Sequence, residues 1–238
     1  PASLEITSEI ADTRLCAHCN KFQTLYVSLI FIFSYFTMKG TVASFEKTTY
    51  NITKATGEHE MIQNRSYLLT DRHGRELPDE GLQLFDFIAN DGDIHQFPAG
   101  FIPSHWHKEL ETFVLLEGSI QIGIGGRTYR LKTGDGCFIN AEVIHSFTAD
   151  VSSPCRYRSF VFHPDIVSGT PGSIFDTAYV RPLVETGAPF LKFQTASGDD
   201  FYFEQFERAF SACLNEDYGY EFLIRDALSN ILLYVKSK

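Results

Sequence analysis

Several common sources of function are missing from this chain of 238 residues. Basic residues are in deficit: 20 Lys and Arg stand against 30 Asp and Glu, a formal net charge of −10 that repels a phosphate backbone. If the protein works on DNA, the basic part lies elsewhere. A disulfide framework is lacking too. The 5 cysteines are odd in number and unpatterned, with Cys16 and Cys19 near the start and Cys137, Cys155 and Cys213 scattered, which favours a reducing, cytoplasmic compartment. Cys16, His18 and Cys19 are zinc-ligand types, but no second CxxC completes a four-ligand site. No apolar run reaches the roughly 20 residues that span a bilayer. The stretch "LYVSLIFIFSYF" (25–36) covers only 12, so no membrane partner is expected.

Residues 1–38 read as an extension outside the fold, with Met38 as the natural start. The second reading is a signal or anchor around 25–36, for which "TVAS" (41–44) is a weak cleavage-like site.

Aromatic residues are plentiful. With 22 Phe, 11 Tyr and 44% hydrophobic residues, the composition suits a β-rich globular protein. Period-two runs begin near residue 82: "LQLFDFIA" (82–89), "TFVLLEG" (112–118), "SIQIGIGG" (119–126), "RTYRLKTG" (127–134) and "YRSFVFH" (157–163). Ile120, Ile122 and Ile124 alternate with small or polar residues, and Gly125-Gly126 supplies the positive φ angles of a tight hairpin. Short strands with Gly-rich turns and no intervening helices argue a sandwich or small barrel. After residue 197 the period becomes helical: Phe203, Phe206, Phe210, Cys213 and Leu214, a break at Tyr218-Gly219, then Ile224, Leu228, Ile231 and Val235 beside Leu223, Ala227 and Leu232. A stripe this wide needs a partner surface, either the barrel itself or a second copy.

The chemistry concentrates in "FPAGFIPSHWHKELETFVLLEG" (97–118). His105, His107 and Glu111 read as one β-hairpin with the two histidines on one face, because residues two apart on a strand point the same way. Trp106 then faces the other side and packs into the fold. His145 has room to return beside them, giving three imidazoles and a carboxylate suited to Fe, Mn, Zn or Ni with positions open for a substrate. The competing reading is a polar pocket that hydrogen-bonds a ligand.

The stretch from Gly100 through "HWHKELE" to Gly118 resembles the first cupin motif, on which His105, His107, Glu111 and Gly118 fall. The second motif is matched at Gly134 and His145, while Asn140 and Glu142 stand where Pro and Gly are expected and Ala149 where Asn is. Loss of those turn residues counts against an enzyme more than against a cupin. "HWHKELETFVLLEGSIQIGIGGRTYRLKTGDGCFINAEVIHSF", followed by "GYEFLIRDALSNILLYV", is similar to the sensor half of AraC-type transcription regulators, over about residues 82–238.

That resemblance implies a mainly β fold: a cupin, the double-stranded β-helix or jelly-roll-like barrel, followed by a C-terminal antiparallel helix pair. The implied organisation is an extension at 1–38, an N-terminal arm at 39–81 that closes over the effector through 64–81, an effector-binding cupin at 82–197 and a helical dimerisation region at 198–238. Its pocket is expected to be lined by His105, His107, Glu111 and His145, with Tyr129, Phe138 and Phe147 as rings for a sugar or aromatic effector. Ile224, Leu228, Ile231 and Val235 are expected to form a homodimer seam, and DNA to be reached only through a C-terminal helix-turn-helix domain absent from this chain. Such a sensor requires no cofactor and is not an enzyme. The alternatives are a metal-dependent cupin dioxygenase or isomerase using three histidines and one glutamate, and a metal-binding sensor in which Fe, Mn, Zn or Ni organises the pocket without catalysis.

Overall fold

The structure, a computed structural model, describes residues 61–77, 85–150 and 152–238. The extension at 1–38 lies outside those residues, as does most of the arm.

Among the described residues, ten strands build two sheets. The six-stranded sheet runs β1 (Ile62–Gln63), β2 (Phe87–Asp93), β9 (Arg156–Phe162), β4 (Leu110–Glu117), β7 (Asp135–Ile139) and β10 (Phe190–Gln194). The four-stranded sheet runs β3 (Phe101–His105), β8 (His145–Ala149), β5 (Ser119–Ile124) and β6 (Arg127–Lys132). Every pairing is antiparallel except β1 with β2. From β2 to β9 the chain passes back and forth between the sheets, with β5 and β6 as a hairpin within one of them, which winds it into a double-stranded β-helix, the cupin barrel.

Of the strand expected over 82–89, residues 82–84 lie outside the described residues and 87–89 open β2, which runs on to Asp93. Gly125 and Gly126 form the two-residue hairpin between β5 and β6 with φ of 56° and 76°, the left-handed pair that matches strand twist. One expectation fails at the motif itself. β3 pairs with β8 and β4 pairs with β7 and β9, so the residues around "HWH" are no hairpin. They are a crossover from one sheet to the other, and His107 lies between strands.

Strand alternation divides the core. Phe113, Leu115, Cys137, Ile139 and Tyr157 face into the barrel with Ile120, Ile122, Ile124 and Phe147 from the opposite sheet. Leu110, Val114, Phe138, Phe160 and Phe162 face outward, against helices. Those helices are α1 (Asp165–Ser168), α2 (Arg181–Thr186), α3 (Asp200–Asn215) and α4 (Tyr220–Lys236), with a π-helical turn at Phe175–Val180. The segment 165–186, inside the stretch 82–197 expected as the cupin, carries helical turns. Gly136 makes room for Tyr202 of α3, since a Cβ there would lie 2.6 Å from its ring. The Tyr202 hydroxyl then donates to Cys137 O at 2.8 Å and sits beside Thr112 Oγ1, so this buried polar group is satisfied.

The helix pair appears where its period placed it. Glu216 turns left-handed at φ 43° to end α3, and Gly219 at φ 83° precedes α4. Burial corrects the seam, however. Ile224, Leu228, Ile231 and Val235 are enclosed in the chain's own core with Phe206, Ala209 and Phe210, so the surface this stripe needed is its own barrel and α3. Exposed apolar side chains of α4 are instead Phe222, Leu223 and Leu233. No helix among the described residues is long and apolar enough to cross a membrane.

Candidate functional site

Three elements deliver the site. His105 ends β3 and pairs directly with His145, the first residue of β8, after a break in register that follows Ile102. Pro103, lacking an N–H, falls in that break, where no ladder donor is needed. His107 lies in the crossover and Glu111 is the second residue of β4, on the inward parity shared with Phe113 and Leu115. The backbone N–H of Glu142 donates to His107 O at 2.7 Å and pins the crossover. Glu142 adopts φ 60° at the position where the cupin pattern has Gly, so the left-handed turn persists without the residue that favours it.

The imidazoles have fixed tautomers. Nδ1 of His105 lies 2.8 Å from Pro103 O, Nδ1 of His107 3.0 Å from Glu109 O, and Nδ1 of His145 2.8 Å from Val143 O. A carbonyl can only accept, so each Nδ1 carries the proton and each neutral ring presents a bare Nε2. One ligand nitrogen from each ring falls within 4.8 Å of the others, and all three residues are buried. Nε2 of His107 and of His145 has no hydrogen-bond partner among the described residues. Glu111 Oε2 approaches them at 3.7 and 3.3 Å.

Burial, with His145 alongside, pushes His105 down to about 3, so its ring is neutral at ordinary pH. Burial also works against a charged His107, but the Glu111 carboxylate outweighs it and holds His107 above its usual value. Glu111 is driven up by burial and pulled down further by His107 and His145, ending well below the usual carboxylate range. An ionised carboxylate beside buried imidazoles attracts a cation.

These residues fit a metal ion. Three imidazole nitrogens and one carboxylate are ligands for first-row divalent ions, and each Nδ1–H bonded to a carbonyl is the support that ligating histidines need. Two donors about 2.1 Å from one ion can be at most about 4.2 Å apart, so three imidazole atoms within 4.8 Å of one another are of the spread that one ion draws together.

The barrel encloses a cavity of about 30 Å³ at this cluster, also lined by Asn90, Phe97, Ile102, Phe113, Phe147, Tyr157 and Ser159. That admits an ion with a water or two, against roughly 300 Å³ or more for organic ligands. A larger groove of about 740 Å³ lies between α4 and the 175–180 turn, and none of the four cluster residues lines it.

The structure thus brings His105, His107, Glu111 and His145 together; the first three line the cavity with Phe147, while His145 joins them through Glu111 without lining it and meets Phe147 edge-on at 5.5 Å. Tyr129 does not line the cavity and stacks on Phe190 at 4.4 Å. Phe138 points away into the helix-facing core, because it alternates with inward Cys137 and Ile139. Trp106 does face away from the cluster, but its indole N–H donates to His73 O of the arm rather than packing into the barrel.

Sequence reading missed Asn90, Ser159, Arg65 and Glu76, which also line the cavity. Asn90 donates to Ser159 Oγ at 3.0 Å, and its own Oδ1 has no partner among the described residues. The available signal was a polar residue interrupting the apolar face of β2 and of β9.

Residues 93–198 match the family described as the AraC-like ligand binding domain. A protein of Bacillus subtilis (strain 168) named as an uncharacterized HTH-type transcriptional regulator, YdeC, is 30% identical over 122 residues. That alignment takes in 51% of this chain and only 41% of the regulator, so the chain corresponds to less than half of that relative. Among solved structures, the polyketide cyclase RemF of Streptomyces resistomycificus is 24% identical with a TM-score of 0.30, over 34% of this chain and 56% of that one. A cupin-2 domain protein of Shewanella frigidimarina is 21% identical with a TM-score of 0.28, over 33% and 72%. The fold assignment itself rests on the strand order of the two sheets.

Proposed function

We propose that this chain is the sensor part of a DNA-binding transcription regulator, and that its barrel takes a divalent transition-metal ion on His105, His107, His145 and Glu111. One observation carries the metal reading. Buried Nε2 atoms of His107 and His145 lack partners while every Nδ1 is committed to a carbonyl, an arrangement that costs free energy unless a cation completes it. The match of residues 93–198 to a ligand-binding domain of regulators supports the sensor reading. DNA contact is assigned to a helix-turn-helix part beyond the barrel, and the reducing cytoplasm suits the free, buried Cys137, Cys155 and Cys213.

When bound, the ion supplies fixed positive charge. The protein's own residues do the rest: the carbonyls of Pro103, Glu109 and Val143 orient the rings, Glu111 balances charge, and Phe113 and Phe147 restrict water. A sugar-sized effector would enter this cavity only after residues 65–76 move, since Arg65, Leu68 and Glu76 form part of its wall. The same closure speaks against a cupin dioxygenase or isomerase, whose substrate would need space beside the metal.

Dimer formation through this chain would use the exposed side chains around the groove, Phe175, Tyr179, Phe222 and Leu233, rather than the buried stripe. The sensor reading is tested by placing the whole chain ahead of a DNA-binding domain that acts only as a dimer and following a reporter as Zn²⁺, Mn²⁺ or Fe²⁺ is added. Output should change with one of these ions and stop changing in His107→Ala. Output indifferent to every ion in the wild-type fusion sinks the metal-sensor reading.

A further inference from the structure

Resting on that metal reading, we propose that Glu76 is an additional ligand of the same ion, delivered by the N-terminal arm. Residues 69–77 form a tight turn: Asp71 Oδ1 accepts from the backbone N–H groups of His73 and Arg75, and Leu77 N donates to Leu69 O at 2.9 Å. The far side of this turn is bonded to the residue between the two motif histidines. Glu76 N donates to Trp106 O at 2.9 Å, Trp106 N donates to Gly74 O at 3.0 Å, and Trp106 Nε1 donates to His73 O at 3.1 Å. Arm and ligands therefore share one stretch of backbone.

The Glu76 carboxylate is half-buried at the cavity wall, its side chain 11% exposed. Arg65 Nη1 donates to Oε1 at 2.7 Å, which turns Oε2 toward the cluster, 3.9 Å from His105 Nε2. Donors sharing an ion at about 2.1 Å can be up to about 4.2 Å apart, so the separation of Oε2 from His105 Nε2 is one that two ligands of a single ion can have. Charge agrees with position. Glu111 and Glu76 set two negative charges against a dication, and Arg65 steadies the second of them.

The ion then adds a further link between two parts of the chain that the β1–β2 pairing and the Trp106 edge already join. Occupancy tightens the turn at 69–77 against the barrel, and loss of the ion leaves that turn held by its hydrogen bonds to Trp106 and the packing of Leu68. Such a link can shift the arm only by its differential affinity for the docked and undocked states.

Co²⁺ tests this on the whole chain, with visible absorption reporting the coordination shell and hydrogen exchange reporting the arm. Wild type should bind one equivalent, and exchange at the Glu76 and Trp106 amides should slow on loading. Glu76→Gln keeps the size and can still accept from Arg65; it should bind about tenfold or more weaker, change the band intensity and lose the metal-dependent protection. Glu76→Asp keeps the charge one methylene short and should fall between, carrying the test if the Gln variant does not fold. His107→Ala should abolish binding. If Glu76→Gln matches wild type in affinity, band and protection while His107→Ala does not bind, the Glu76 assignment is overturned and the metal reading stands. If wild type itself takes up no Co²⁺, both fall together.

Discussion

The two faces of the six-stranded sheet do opposite work with the same strands. On β4, Leu110 and Val114 face a helix-covered core made almost wholly of carbon, where Phe160 meets Phe206 at 4.5 Å and Phe87 at 5.2 Å. One residue away, Glu111 faces a cavity ringed by buried imidazoles whose Nε2 atoms are partly unmatched. Burial of apolar surface stabilises the first face at about 25 cal/mol per Å², whereas unmatched polar burial destabilises the second. The outward face is where the domain gains stability, and the inward end of the barrel is where it gives some up.

That contrast breaks most visibly on the outward face. Phe160→Ala should lower unfolding free energy by about 3–5 kcal/mol in urea titrations, and Ile231→Asp, which buries a charge without a partner, should leave no cooperative transition. A metal-stripped His107→Ala variant should stay within about 1 kcal/mol of stripped wild type, because the ring it removes is itself incompletely satisfied. With Zn²⁺ at about 100 to 1,000 times its dissociation constant, wild type should gain about 3–4 kcal/mol and the variant nothing, as read by urea midpoints with and without the ion. A gain of equal size in both would place the ion elsewhere.

Smaller effects sharpen the picture. Glu142→Gly should raise stability by about 1 kcal/mol by relieving the left-handed backbone at φ 60° that pins His107, and a loss would mean that the Glu142 side chain contributes more than its backbone strain. Phe222→Glu and Leu233→Glu, at 74% and 53% exposed positions on α4, should move stability by less than about 0.5 kcal/mol. Light scattering on the same variants should give monomers where wild type gives dimers; unchanged dimers would remove this face as the contact.

How far the sequence could be read follows from the range of each interaction. The Gly125-Gly126 hairpin and the helix break at Gly219 are local, and their residues announce them. Metal-ligand types at motif spacing were equally visible, although the crossover was mistaken for a hairpin because residue parity does not show which sheet a strand joins. Periodicity found the buried stripe of α4 and could not identify its cover, since an intramolecular and an intermolecular partner demand the same apolar face. Phe138 was placed on the wrong side by a chemical argument that ignored its alternation with Cys137 and Ile139. Glu76 left no local signal at all: it is 29 residues from His105 in a charged stretch, and only the arm's pairing with Trp106 brings it to the cavity.

Calorimetric titration of Zn²⁺ into the chelator-stripped whole chain tests the central claim most directly. The account predicts saturation at one ion per chain, weakening as pH falls because protons compete for the imidazole nitrogens, and lost in His107→Ala. Heats that never saturate at one equivalent, or that survive in His107→Ala, would contradict it.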